Sequence, residues 1–344
     1  MSLRSIPTGA GGAVSFYNGN PSGSYATDLV IDINGYFVSG YGSPSTTLAY
    51  YPVTPCRIAD TRTGYGFSGS FGPPSLSGGA TRSFPVLSSS CNIPSVAQAY
   101  SLNFAAIPPG ALGYLTVWPY GESQPTVSTL NDGTGTVVAN AAIIPAGMDS
   151  GGSINVFAPE PTDLVIDIDG YYAPPGSGGL ALYTVTPCRV LDTRNSSSAF
   201  QGELDVNVTA SGCIGSSGQQ AYVFNASVVP SASLGYLTLW QQGTPQPLAA
   251  TLNALDGAIT SNTAVVPTSN TEVSAFANSS TNLILDLFGY FAPPASSPDW
   301  TGGLCQTTRT TARRRANPFL RPGIHLPHRA RTTLVSDADP RLRK

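Results

Sequence analysis

The sequence predicts an all-β protein of tandem antiparallel β-sandwich domains, Ig-like or jelly-roll-like, with a small closed β-barrel as the alternative. Three observations carry this. Apolar residues come in short runs with period-two alternation, as in "GYLTVW" (Gly113 to Trp118) and "DLVIDIDGYY" (Asp163 to Tyr172), and no stretch has helical period. Turn formers are dense, with 37 Gly and 30 Pro, while charged residues make up only 10%. One segment recurs three times: "TDLVIDINGYF" (Thr27 to Phe37), "TDLVIDIDGYY" (Thr162 to Tyr172) and "TNLILDLFGYF" (Thr281 to Phe291).

The rest of the repeat follows in order. "VTPCRIADTR" at Val53 matches "VTPCRVLDTR" at Val185, "SLNFAAIP" at Ser101 matches "VFNASVVP" at Val223, "LGYLTVWP" at Leu112 matches "LGYLTLWQ" at Leu234, and "STLND" at Ser128 matches "ATLNA" at Ala250. Two complete repeat domains therefore span residues 48–175 and 180–294, each large enough to close its own core. Residues 1–38 hold only the closing part of a third, so either the array begins upstream or a neighbouring molecule supplies strands. Linkers rich in Gly and Pro follow each "GY" segment, where a ladder cannot continue. Residues 295–344 read as an Arg-rich tail outside the repeat, disordered or a reading-frame artefact.

Charge and composition exclude several functions. Ten of the 16 basic residues lie beyond Trp300, so residues 1–300 lack the basic face that nucleic-acid binding needs. No run of eighteen apolar residues predicts a membrane span. Both histidines, His325 and His328, and the single lysine, Lys344, fall in the tail, so the repeats contain no imidazole or amine base. Their glutamates, Glu122, Glu160, Glu203 and Glu272, have no counterparts between repeats, which speaks against a carboxylate-pair glycosidase. The expected class is non-catalytic, with no cofactor and no metal assigned; calcium on Asp132 or Asp169 is left open.

Cys56 and Arg62 share the spacing of a cysteine-dependent phosphate-binding loop, as do Cys188 and Arg194. Such a loop needs glycine, inward N–H groups and a helix start behind it. Here the intervening residues contain no glycine, and Asp60 or Asp192 would sit where the anion binds. Each repeat carries a second cysteine, Cys91 or Cys213, in equivalent order. This predicts one disulfide per repeat, Cys56 to Cys91 and Cys188 to Cys213, and hence an oxidising, extracellular or cell-surface location.

Four of the six arginines before the tail are Arg57, Arg62, Arg189 and Arg194, at equivalent motif positions beside Asp60 and Asp192. Asp167 and Asp286 recur inside the apolar "LVIDI" strand, where a carboxylate is costly unless paired. A structural ion pair from a motif arginine to Asp167, and to Asp286 in the second repeat, is expected. For ligands, Tyr114 with Trp118 and Tyr236 with Trp240 share a strand face and are candidates for stacking sugar rings; packing in the core is the competing reading.

Together, "VTPCRxxDTR", "LGYLTxW", "TLN" and "LVIDIxGYF" resemble a repeat of secreted and cell-surface proteins of acidobacteria and actinobacteria, where it occurs in tandem and sometimes beside cell-wall hydrolase domains. The resemblance covers residues 1–294 and implies a bacterial extracellular module without catalytic residues. The expectation is a structural or adhesive surface module. Its rivals are a carbohydrate-binding module for cell-wall or extracellular polysaccharide, and a self-assembling surface filament of copies of this chain, in which residues 1–38 complete a neighbour's sheet.

Overall fold

The structure, a computed structural model, describes residues 10–17, 28–39, 47–196, 198–216, 218–294 and 301–305. The Arg-rich segment from 306 onward lies outside the described residues, as do residues 1–9 and 18–27 of the partial repeat.

A short strand, β1 (Tyr36–Ser39), precedes the first repeat. Repeat 1 comprises β2 (Thr47–Asp60), β3 (Thr81–Phe84), β4 (Ala99–Ile107), β5 (Gly113–Pro119), β6 (Leu130–Asp132), β7 (Val138–Pro145), β8 (Ile154–Phe157) and β9 (Asp163–Ala173). They form two antiparallel sheets, ordered β2-β9-β4-β7 and β3-β8-β5-β6. Repeat 2 runs through β10 (Ala181–Asp192), β11 (Phe200–Asn207), β12 (Ala221–Pro230), β13 (Leu234–Gln241), β14 (Leu252–Ala254), β15 (Thr260–Pro267) and β16 (Glu272–Ala292). Its pairings reproduce those of repeat 1, except that β16 passes without a break from the β11–β13 side to the β10–β12 side. Each repeat is thus a two-sheet sandwich; in repeat 2 the long strand β16 is shared by the two sheets, with a neighbour on each side in both. A last strand, β17 (Thr301–Cys305), inside the stretch assigned to the tail, pairs with both β1 and β2.

Alternation explains the cores. Along β9, Leu164, Ile166 and Ile168 point into the sandwich with Phe104, Leu115 and Val156. Repeat 2 has the matching cluster around Leu283, Leu285, Leu287 and Phe224. The other face of β9 is also buried, with Val165 and Asp167 at 4% and 5% exposure, so this strand is covered on both sides. A third cluster covers this face at its Tyr172 end: Leu48, Tyr50, Ala99 and Tyr172 of repeat 1 meet Leu180, Leu182, Ala221, Val223 and Phe291 of repeat 2.

The prolines and glycines of the motifs mark breaks in register. Pairing of β2 with β9 slips between Pro52 and Cys56, and pairing of β10 with β16 slips at the equivalent Thr184 and Cys188. Proline cannot donate to a ladder, so "VTPC" fits a bulge. Opposite it, Gly170 leaves room for the Tyr50 side chain; a Cβ there would lie 2.3 Å from the Tyr50 Cε2, Cζ and hydroxyl.

Candidate functional site

Each "PCRxxDTR" motif builds a chain of polar contacts across the sheet. Arg57 is bidentate on Asp167, Nε to Oδ1 at 2.9 Å and Nη2 to Oδ2 at 3.2 Å, and its Nη1 reaches Asp60 Oδ2 at 3.3 Å. Arg62 grips the same Asp60, with Nε donating to Oδ1 at 2.9 Å and Nη2 to Oδ2 at 2.6 Å. Repeat 2 copies the relay: Arg189 on Asp286 at 2.8 and 3.2 Å, Arg189 on Asp192 at 3.1 Å, and Arg194 on Asp192 at 2.8 and 2.7 Å. The first strand of each repeat is thereby tied to the last.

The motif threonine completes the tie. Thr61 Oγ1 accepts the Leu164 N–H at 2.8 Å and donates to Asp163 at 3.0 Å; Thr193 does the same for Leu283 and Asn282, both at 3.0 Å. Sequence reasoning missed this, because in so Thr-rich a chain a lone hydroxyl carries no signal.

The cysteines are joined as Cys56–Cys91 and Cys188–Cys213, with S–S distances of 2.03 and 2.01 Å. A disulfide sulfur is not a thiolate, so neither motif offers a cysteine nucleophile. Both arms of the phosphatase-like spacing are occupied, the sulfur covalently and the arginine by an aspartate.

The tryptophans of the candidate sugar platform are buried. Trp118 and Trp240 are 6% and 2% exposed, and each indole N–H is spent on a loop carbonyl, of Glu122 at 3.0 Å and of Thr244 at 2.9 Å. The loop after each strand folds back over the indole, which period-two alternation cannot foresee. Tyr114 and Tyr236 remain nearer the surface but pack on Phe157 and Phe276, with ring centroids 6.0 and 5.8 Å apart. Asp132, a calcium candidate, instead accepts the N–H groups of Thr134 and Gly135, closing a turn. Among the described residues no group of three or more acidic, His or Cys side chains could hold a metal.

What distinguishes the two relays is the junction between repeats. Asp167 Oδ2 also accepts the Ala250 N–H of repeat 2 at 3.1 Å, and Arg57 Nη2 also donates to the Leu248 carbonyl at 3.2 Å. Asn103 Nδ2 donates to the Ala250 carbonyl at 2.8 Å, and Asn262 Nδ2 donates to Asn103 Oδ1 at 2.8 Å. Asn262 Oδ1 accepts the Ala141 N–H at 3.0 Å, and Tyr50 and Leu180 exchange backbone bonds at 3.0 and 2.8 Å. The asparagines recur between repeats, at 103 and 225 and at 140 and 262, yet nothing in one sequence says that they face a neighbour.

Asp169 sits in this junction, held by Ser101, the Tyr50 hydroxyl and the Val265 N–H of repeat 2. Burial dominates over these bonds and pushes its carboxyl up to about 7. Asp167 is also raised, since desolvation outweighs the Arg57 bonds. Asp192, gripped first by Arg194, is lowered to about 2. Beside the junction lies a cleft of about 570 Å³ with an uncharged lining, Pro52 to Pro55 on one wall and Gln219, Gln220, Gln241 and Thr268 on the other.

No protein-family model and no curated protein matches the chain. Among the described residues no helix is long and apolar enough to cross a membrane.

Proposed function

We propose that the chain is a non-catalytic extracellular or cell-surface module whose work is mechanical: a rigid tandem of β-sandwiches serving as a structural or adhesive element. The observation that carries this reading is where the repeated polar residues go. Arg57, Asp60, Arg62 and Asp167, their four counterparts, and all four cysteines of the two repeats are consumed in bonds within and between the repeats. In an enzyme or receptor, the side chains that recur in every unit tend to converge on a cleft. Here they converge on the fold. Two disulfides support placement in an oxidising compartment, and the resemblance to bacterial surface repeats points the same way.

The carbohydrate-binding reading moves elsewhere if it is to stand. The cleft of about 570 Å³, lined by amides, hydroxyls and prolines, suits an uncharged polar polymer. A screen of the full chain against cell-wall and extracellular polysaccharides, run beside a non-reducing peptide map, separates the two. The structural reading expects both disulfides intact and no saturable glycan binding. Saturable binding abolished by Gln241→Ala with the fold unchanged would replace it by the glycan reading.

A further inference from the structure

The contact between repeats is one-sided. Repeat 1 offers Arg57, Asn103 and Asp167, and repeat 2 answers with the backbone of Leu248 to Thr251 and with Asn262. A two-fold pair would use each set twice, whereas among the described residues no hydrogen bond runs from Arg189, Asp286 or Asn140 to the other repeat. The junction is therefore front-to-back, a geometry that leaves one unsatisfied front and one unsatisfied back.

Both open faces are visible. At the back of repeat 1, Asn140 is 3% exposed and its Oδ1 has no hydrogen-bond partner among the described residues, although the same atom of Asn262 accepts an N–H across the junction. A buried acceptor without a donor is disfavoured, and at the equivalent position of repeat 2 the neighbouring repeat supplies one. At the front of repeat 2, the Arg189 and Asp286 side chains are 49% and 24% exposed, against 8% and 6% for Arg57 and Asp167 beneath repeat 2.

The centre of the molecule shows how many units fit. Phe37, Tyr172 and Phe291 occupy the same position in three copies of the "GY" segment, and the Phe37 ring lies 6.4 Å from Tyr172 and 6.5 Å from Phe291. Beside them, "TGGLC" at Thr301 matches "SGGLA" at Ser177, the lead-in to β10, and forms β17 against β1 and β2. A third place around this centre thus holds a closing strand and an opening strand of the repeat type. Leading into β1, Val30 and Ile33 are 84% and 78% exposed, while their counterparts Val165 and Ile168 are 4% and 1% exposed within β9. That segment carries the sequence of a central strand, and among the described residues it pairs with no strand.

We propose that this third place is the docking site for one further unit of the same repeat type, which takes residues 28–39 as its last strand, seats its back on Arg189 and Asp286, and presents its front to Asn140. A second copy of the two-repeat chain does not fit there. Its repeat 1 would bring its own repeat 2 onto the face that Asn140 needs, and its repeat 2 would bring its own repeat 1 onto Arg189.

The test inserts a second copy of residues 48–161 between Ala26 and Thr27 of the full chain, completing a unit on the existing strand; a parallel version inserts residues 180–280. The expected result is loss of Arg189 reactivity toward an arginine-selective dicarbonyl, down to the level of Arg57, in a monomer. The amides of Leu29 to Ile33 should exchange about 100-fold more slowly or better, as a strand paired on both sides does. Arg189 staying reactive in both versions overturns the proposal, because the added unit is then an independent bead. So does failure of both inserts to form their disulfide while the parent forms its own. Concentration-dependent protection of Arg189 in the parent chain also overturns it, since a second copy is then the occupant. None of these outcomes bears on glycan binding or on where the protein works.

Discussion

Replacing Asp169 with Asn should remove a pH dependence from folding. The native carboxyl is raised from 3.8 to about 7, whereas in the unfolded chain it returns to the ordinary value. Below pH 4 both states are protonated and the site costs nothing. Between about pH 4 and pH 7 the unfolded state gives up its proton while the native state keeps it, so stability falls as pH rises, and above pH 7 it stays at the lower level. A shift of some three units sets a ceiling of about 4 kcal/mol at 1.36 kcal/mol per unit; the carboxyl is not fully sealed, which brings the expectation to about 2 to 3 kcal/mol. Asn keeps an acceptor for the Val265 N–H and adds no charge, and Asn34 already fills this position in the first copy of the segment. The assay is urea unfolding of both proteins from pH 4 to pH 8. The wild-type midpoint should fall relative to that of Asp169→Asn across this range, and parallel profiles would refute the placement of an ionisable group in a dry junction.

The two relays should respond unequally to the same substitution. Asp167→Ala leaves Arg57 buried and strips the Ala250 N–H of its acceptor, for a loss of about 3 to 5 kcal/mol, while Asp286→Ala exposes an already half-exposed Arg189 and costs about 1 kcal/mol or less; equal losses in chemical denaturation would contradict the structure. Asn262→Ala strands the Ala141 N–H and the Asn103 carbonyl, costing about 2 to 3 kcal/mol, whereas Asn140→Ala gives up one bond to Thr129 and costs about 1 kcal/mol. Cys91→Ser with Cys56→Ser, and Cys213→Ser with Cys188→Ser, should each destabilise by roughly 3 to 4 kcal/mol for loops of 35 and 25 residues, read as lowered thermal midpoints under non-reducing conditions. As pH falls through about 2, protonation of Asp192 should loosen repeat 2, because a depressed carboxyl contributes stability above its unfolded value and loses it on acidification.

Much of the architecture is legible in the sequence because it depends on short-range rules. Period-two alternation places Leu164, Ile166 and Ile168 on the sandwich side of β9, and the repeat shows that Leu283, Leu285 and Leu287 do the same in β16. The arginine-to-aspartate contacts were open to the same reasoning, since a carboxylate inside "LVIDI" needs a cation and each repeat offers only the motif arginines. Trp118 escapes such reasoning. Its strand face is set by period, but its burial is set by a loop returning from Glu122, and loop paths obey no period. The junction escapes too, because Asn103 and Asn262 acquire partners only when two folded bodies meet.

That difference puts two nearly identical relays in different surroundings. The bonds from Arg57 to Asp167 and from Arg189 to Asp286 agree in length to within a tenth of an ångström or so, yet one pair lies under a neighbour and the other largely in solvent. A buried pair gains little net stability over water, but it penalises any neighbour that fails to supply its remaining donors and acceptors. Repeat 2 supplies them through the Ala250 N–H and the Leu248 carbonyl, which are backbone groups and so insensitive to side-chain identity. In repeat 1 the relay is satisfied by the backbone of the next repeat, so this contact depends on the path of that loop and not on its side chains. The motif that shares the spacing of a phosphate loop thus ties the first strand of its repeat to the last and, in repeat 1, also contacts the neighbouring repeat.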